Sequence, residues 1–360
     1  MNGYNELFLS IDDNYKLSEV TMRENHIKYR ILAEVREEHD NLLNQDVIYN
    51  DYVSKKSMIE MAEGISSLGY DCEFIGGMTK LTELCNNKPD VSNTIFINYN
   101  YGYPSQFKRG QSPILLEMNH AKYTGSDPFV SLLVNDKYCT KKIVSKNCYK
   151  TPMSLLILTN DDTRFINEEN INVPLVVKPN SEGSSLGITN DSLCQTYGQA
   201  IAQCLKLLEV FPSVIVEEYV PGYELTVWLI GNKDDFELIC PLLVSVNEIY
   251  YFESKIITIH DKSQHNRTYS SPHNYFSQKT VDELINISKR IFEELGMRDY
   301  ARLDFRINGS DIFFIEANAL PIFSKSSEIG EICKLYNITY QEICKRLVST
   351  ITKRLMPEAY

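Results

Sequence analysis

A lysine closing an apolar run, followed by a loop of small residues, is a combination suited to phosphate. Residues 176–187 read VVKPNSEGSSLG. Lys178 offers a compact charge, and the segment behind it offers hydroxyls, backbone N–H groups and glycines that let an anion come close. The same letters also fit an ordinary small-residue loop with a surface lysine, and the spacing is not that of a P-loop. Residues 302–304 (RLD) and 316–318 (EAN) flank an Asn308-Gly309 turn signal, so two adjacent strands can bring Asp304, Glu316 and Asn318 to one point. Such hard oxygen donors suit Mg²⁺, whose remaining positions go to water and phosphate. Arg302 beside them can steady a developing anion. The competing reading is a surface hairpin with alternating polar residues. Residues 216–224 (VEEYVPGYE) supply a strand edge able to read an adenine rim and, in Glu224, a carboxylate able to grip ribose. Acidic residues at strand ends are, however, most often simply solvated.

Other reactive side chains are less specific. His260, Asp261 and His265 have metal-ligand chemistry, but solvation is the simpler reading. Cys139 reads as a packed or surface thiol rather than a nucleophile. Tyr99, Tyr101 and Tyr103 suit a pocket wall and core packing equally, and Arg36-Glu37-Glu38 reads as a solvated loop.

The elements that must position these groups follow from periodicity. Residues 30–35 (RILAEV) and 94–98 (TIFIN) have the pattern of buried strands, and 54–68 places Met58, Met61, Ala62 and Ile65 at helical spacing before Gly69. That alternation predicts a parallel α/β first domain, behind a weakly patterned arm over 1–26. Beyond it the spacing predicts helices over 136–146, 191–208 with Asp191 as N-cap, 277–295 and 339–353. Strands are predicted over 153–159, 174–178, 214–219, 224–230, 237–244, 301–307 and 312–317. This second part is α+β, built on antiparallel hairpins.

A chain of 360 residues is long enough for two or three domains. Its 36 basic and 48 acidic residues give a net charge of −12, which argues against a general binder of nucleic acid or anionic membrane. No apolar run approaches the roughly 20 residues of a membrane helix, and the first residues lack the basic-then-apolar order of a signal peptide. The nine scattered cysteines contain no CxxC pair and read as reduced thiols of a cytoplasmic protein.

Residues 115–152 contain Leu-Glu, Tyr-Thr-Gly-Ser, Asp-Lys, Thr-Lys and Thr-Pro in order, and VVKPNSEGSSLGIT, ARLDF and FIEANALP continue the series. In these motifs, from about residue 110 to about 327, the chain resembles the ATP-grasp carboxylate–amine ligases, and among them the D-alanine–D-alanine ligases. The resemblance implies a three-domain ATP-grasp fold. Its N-terminal α/β domain would span 1–125, its central subdomain 126–216 and its C-terminal subdomain 217–360, with a lid at about 250–272. The nucleotide would lie between the last two. Lys137 and Lys178 would hold the α and β phosphates, and Ser184 and Ser185 would lie in the loop closing over the γ-phosphate, which Lys255 would reach from the lid. Glu217, Glu218 and Val220 would frame the adenine and Glu224 the ribose. Asp304, Glu316 and Asn318 would bind two magnesium ions. Arg302, Ser184 and Lys255 would form the catalytic set, Arg302 by stabilising the tetrahedral intermediate, and Ser327 would meet the acceptor's carboxylate. The implied chemistry converts a carboxylate to an acyl phosphate with ATP and lets an amine displace phosphate, under a lid that excludes water.

The first-substrate half departs from that pattern. Tyr52 stands, ahead of Val53-Ser54, where the family has a glutamate that grips the first substrate's amine. FINYNYGYP replaces a His-Gly, Ile256 replaces the lid tyrosine, and Ala319-Leu320-Pro321-Ile322 replaces a small residue, Pro and Gly. The expectation is an amide-forming ligase joining an amino or hydroxy acid to an amine that need not be D-alanine. The alternatives are a D-alanine–D-alanine ligase proper, a loader of a carrier-protein thiol, and a catalytically silent ATP-binding module. Expected partners are amino acid substrates or a carrier protein, and a second copy in a homodimer; nucleic acid and membrane are not expected.

Overall fold

The computed structural model describes residues 27–39, 52–183, 185–258, 261 and 266–357. The arm over 1–26, Ser184, His260 and His265 lie outside them. Four parallel strands, β1 (Lys28–Leu32), β2 (Asp71–Gly76), β3 (Thr94–Asn98) and β4 (Lys122–Tyr123), form a first sheet in the order β2-β1-β3-β4. β3 is buried at every position because helices cover both faces. α1 (Lys55–Ser66) packs on one side; α2 (Met78–Asn87) and α3 (Lys108–Met118) pack on the other. Ser54 caps α1 by accepting from the Ser57 N–H. Periodicity does not predict β2, α2 or α3: β2 is a half-exposed edge strand without a clean alternation, and α3 carries an internal Pro113.

α4 (Pro128–Asn135) runs straight into α5 (Lys137–Lys146), and Asp136 both ends the first and caps the second through the Cys139 N–H. A second sheet, antiparallel in the order β5-β8-β6-β7, follows from β5 (Ser154–Ile157), β6 (Leu175–Pro179), β7 (Leu193–Cys194) and β8 (Val214–Glu218). α6 (Tyr197–Leu208) covers it. The expected helix over 191–208 therefore starts later than its spacing suggests. Thr196 and Gln199 form a reciprocal capping box, while Asp191 sits in a short 3-10 turn and is not the cap.

The third sheet has the order β12-β10-β9-β13-β14. It contains β9 (Gly222–Asn232), β10 (Asp235–Val246), β12 (Arg267–Ser270), β13 (Tyr300–Asn308) and β14 (Asp311–Asn318), with β11 (Tyr251–Phe252) paired to the start of β9. Alternation along these strands sorts their residues. Leu225, Val227, Leu303, Phe305 and Ile307 pack with α4 and α7 (Gln278–Glu294), which leaves Glu224, Thr226, Arg302, Asp304 and Arg306 on the opposite face. The chain ends in α8 (Glu328–Tyr336) and α9 (Tyr340–Leu355). α9 places Ile343, Leu347 and Ile351 in one apolar cluster with Tyr29, Met61 and Trp228, so the last helix joins the first sheet to the third. Tyr29 Oη and Thr352 Oγ1 lie 2.7 Å apart across that seam. Among the described residues no helix is long and apolar enough to cross a membrane, and the nine cysteines form no disulfide.

Candidate active site

Two cavities open on the polar face of the third sheet. The larger, about 760 Å³, lies between that sheet and the loops of the first domain. The smaller, about 130 Å³, lies between the second and third sheets and is lined by Val176, Ile188, Tyr219, Val220, Val244 and Ile315 among others. Arg267, Arg302, Glu316 and Glu328 belong to both walls.

The shared wall is set by strand register. β13 and β14 pair Arg302 with Asn318 and Asp304 with Glu316; β13 and β9 pair Asp304 with Thr226 and Arg306 with Glu224. Asp304 is held by Arg302 through two hydrogen bonds of 3.0 and 2.9 Å, by the Thr226 hydroxyl at 2.6 Å and by Asn318 Nδ2 at 3.2 Å. Burial and the facing Glu316 carboxylate keep the Asp304 carboxyl above its ordinary value despite Arg302. Two carboxylates pressed together with an amide on one ladder form a hard-oxygen set that gains from a divalent cation. Mg²⁺ is bound in this way, by one or two carboxylates completed by phosphate and water. The residues therefore fit magnesium.

The lysines converge from the second sheet and α5. Lys178, next to last in β6, is 2.8 Å from Glu217 Oε2, and Lys141 is 3.0 Å from Glu217 Oε1. Burial opposes the charge on Glu217, yet Lys141 and Lys178 outweigh it and hold the carboxyl low. Burial brings Lys141 down to about 8, with Glu217 resisting. Lys137 opens α5, lies 3.8 Å from Glu316 and donates to the Glu182 carbonyl; burial lowers its proton affinity. The loop after β6 is seated on α5: Asn180 accepts from the Lys137 and Tyr138 N–H groups, and Asn135 donates to the Ser181 carbonyl. Gly187 closes this loop at φ +74°, where a Cβ would come within 2.6 Å of Pro179. Ser185 donates to the Ile257 carbonyl at 3.4 Å.

The other expected residues take more individual positions. Glu217, Glu218, Val220 and Glu224 all line the smaller cavity. Glu218 accepts from Asn172, and Glu224 accepts from Arg306 at 2.8 and 3.0 Å. Lys255 lines neither cavity; it pairs with Asp261 at 3.2 Å, and Asp261 also accepts from Thr258. Ser327 lines the larger cavity, caps α8 and donates to the Ile322 and Ser324 carbonyls. Tyr52 lines it too, donating to the Gly102 carbonyl at 3.0 Å. The tyrosine cluster divides: Tyr99 is buried against Tyr300, Tyr101 reaches the larger cavity and Tyr103 is exposed. Burial raises the Cys139 thiol, as expected of an unactivated one.

A family model described as D-ala D-ala ligase C-terminus matches residues 156–349. The chain belongs to the D-alanine–D-alanine ligase family. The D-alanine–D-alanine ligase of Desulforamulus reducens is 30% identical to it over 241 residues, 65% of this chain and 74% of that one. The Pediococcus pentosaceus ligase is 28% identical over 67% of this chain, and the match spans only 65% of that enzyme's length. The Fusobacterium nucleatum ligase is 25% identical over 83% of this chain and 94% of its own. The crystal structure of a Bacillus anthracis D-alanine–D-alanine ligase complexed with ATP superposes at TM-score 0.67 with 18% identity, covering 92% of this chain and 98% of that one. The VanG D-Ala:D-Ser ligase of Enterococcus faecalis gives 0.67 at 17% identity, covering 90% and 99%. These likenesses show the fold of the D-alanine–D-alanine ligase family, ATP-grasp, over nearly the whole chain.

Several charged groups of this family member are not singled out by the motifs. Lys141 stands four residues beyond Lys137 on one helix face, and Arg306 shares a strand face with Arg302 and Asp304; both periodicities are present in the sequence. Glu328 has no such signal: Arg267, Tyr269 and Arg302 meet it from β12 and β13 at 2.9, 2.9 and 3.4 Å. Burial alone would raise the Glu328 carboxyl, but Arg302 and Arg267 hold it down at about 2. An unfolded glutamate titrates near ~4.3, so the contribution, about 3 kcal/mol, is complete above that pH and is lost as pH falls toward ~2. Urea unfolding at pH 7 and pH 3 should show Glu328→Gln losing about 2 kcal/mol less than the unaltered protein over that interval. Equal losses would contradict the assignment.

Proposed function

We propose that this chain is an ATP-dependent ligase that forms an amide between the carboxylate of an amino or hydroxy acid and an amine. The observation that carries the proposal is the β13–β14 register, which sets Arg302 and Glu316 in the wall common to both cavities, with Asp304 beside them on the smaller cavity and Asn318 on the larger. In this reading the smaller cavity takes the adenine beside Glu217, Glu218 and Val220, with Glu224 turning from Arg306 to the ribose. Lys137 and Lys178 hold phosphates, the loop containing Ser184 and Ser185 covers them, and Lys255 swings from Asp261 to the γ-phosphate. Magnesium, held by Asp304, Glu316 and Asn318, supplies charge neutralisation of the phosphates.

The larger cavity takes both acids. A carboxylate oxygen takes the γ-phosphoryl group as ADP leaves; the amine nitrogen then attacks the acyl carbon, and phosphate and a proton depart. Arg302 lies at the junction, where it exchanges Asp304 for the oxyanion of the tetrahedral intermediate. Ser327 and its neighbouring serines border the acceptor. The ammonium groups of Lys137 and Lys178 are buried beside Glu316 and Glu217, so they are desolvated and oriented beforehand. The chemistry belongs to a cytoplasmic enzyme with small-molecule substrates.

Phosphate release from Mg-ATP should be followed against D- and L-amino acids, singly and in pairs, with products weighed. ADP, phosphate and a product equal to the two acids less one water are expected. Vigorous turnover on D-alanine alone would replace this reading with a D-alanine–D-alanine ligase proper. Absence of ATP binding would overturn both.

A further inference from the structure

The parallel sheet of the first domain has its crevice at the larger cavity. In the order β2-β1-β3-β4, the chain leaves β1 toward one side and β3 toward the other. The loops after the carboxyl ends of those two strands diverge, and that is where open α/β sheets bind ligands. The residues there are basic and hydroxylic. Arg36 begins the 3-10 turn after β1, fixed by its N–H on the Val53 carbonyl at 3.0 Å. Its neighbour Glu37 is turned away, accepting from the Lys55 N–H at the start of α1. Tyr101 follows β3, and the Arg109 guanidinium stacks 3.4 Å over its ring. Tyr52, Ser54 and Ser57 complete this wall.

Charge adds a second, independent argument. The described lining of the larger cavity carries five cationic side chains, Arg36, Arg109, Lys137, Arg267 and Arg302, against three carboxylates. Each of those carboxylates lies within salt-bridge distance of a cation: Glu182 with Lys108, Glu316 with Lys137, Glu328 with Arg267. A cationic cavity in a chain of net charge −12 focuses an attractive field on anions. One carboxylate of the donor must reach Arg302 and the magnesium ligands at the sheet. The opposite wall, with Arg36 and Arg109, is built to hold another, since guanidinium groups bind carboxylates in paired hydrogen bonds.

The geometry points to a dicarboxylic acid as the acyl donor, its far carboxylate held by Arg36 and Arg109. This rests on the ligase reading and narrows its substrate. The test uses the purified full chain with Mg-ATP and hydroxylamine, which traps an acyl phosphate as the hydroxamate with release of phosphate, whatever the natural acceptor. Matched donors differ only at the far end: succinate and succinamate, glutarate and its monoamide, glutamate and glutamine of either hand. Calorimetric ATP affinity is measured alongside.

The expected result is kcat/KM roughly 10- to 100-fold higher for at least one diacid than for its monoamide. Arg36→Gln and Arg109→Gln each shrink that ratio several-fold, and the double variant brings it near one, with ATP affinity retained. Equal or better turnover of the monoamides overturns the proposal, as does a ratio untouched in the arginine variants. ATP binding with no donor of the panel turned over also overturns it and leaves the ligase reading standing. Failure to bind ATP sinks the ligase reading and the proposal together.

Discussion

Replacing Glu217 with leucine is expected to cost about 3–5 kcal/mol of stability, because it leaves the ammonium groups of Lys141 and Lys178 buried without their counter-charge. Their side chains are 1% and 7% exposed, too little for water to take over. The deficit should itself depend on pH. Without Glu217 the folded protein sheds protons from these lysines that the unfolded chain keeps to about pH 10, and stability rises with pH wherever the unfolded state binds more protons. Denaturant unfolding of Glu217→Leu should therefore show its largest loss near pH 6 and a smaller one near pH 9. A loss below about 1 kcal/mol at pH 6 would place the charge pairs among the exposed, weakly contributing kind.

Asp304→Asn and Glu316→Gln keep the shape of the site and remove one charge each. Each is expected to lower kcat/KM by about 100- to 1,000-fold, the scale of losing a charge-stabilising group at a reacting centre. Nucleotide affinity should lose its dependence on added magnesium at the same time. Urea unfolding separates this from damage to the fold, since Asp304 also anchors Arg302, Thr226 and Asn318. Output unchanged in both variants would favour the catalytically silent module.

Motifs whose chemistry depends on close spacing are legible in the amino-acid order alone. The Asn308-Gly309 turn makes β13 and β14 neighbours, so the two motifs can be brought together from the sequence; counting from the turn would face Asp304 with Ile315, and it is the register shift between Asp304 and Phe305 that sets Glu316 there instead. The Lys178 loop is legible for the same reason: strand end, small residues and glycine are consecutive. Glu328 is not, because its partners Arg267 and Arg302 come from separate strands of a sheet whose order cannot be counted along the chain. β2 and α3 escape detection where local pattern is weak and packing from outside the element makes the decision. The late start of α6 has the opposite cause, a reciprocal cap at Thr196 and Gln199 prevailing over an apparent cap at Asp191. Tyr52 stands out in the sequence as the divergent position, but its bond to Gly102 is a contact across 50 residues.

The seam made by α9 bears on how the protein comes off the ribosome. The first sheet is complete in sequence by Tyr123, yet the helix that completes the apolar cluster on its α1 side is not made until residues 340–355. At about 5–20 residues per second, translation leaves that cluster incomplete for roughly 10–40 s. The first domain therefore cannot finish folding as it emerges, as an N-terminal domain usually does. It waits for α9 to complete the apolar cluster that Tyr29, Met61 and their neighbours begin. Such an interval selects for chaperone protection in the cell. It also makes loss of the last helix a lesion of the first domain as much as of the last.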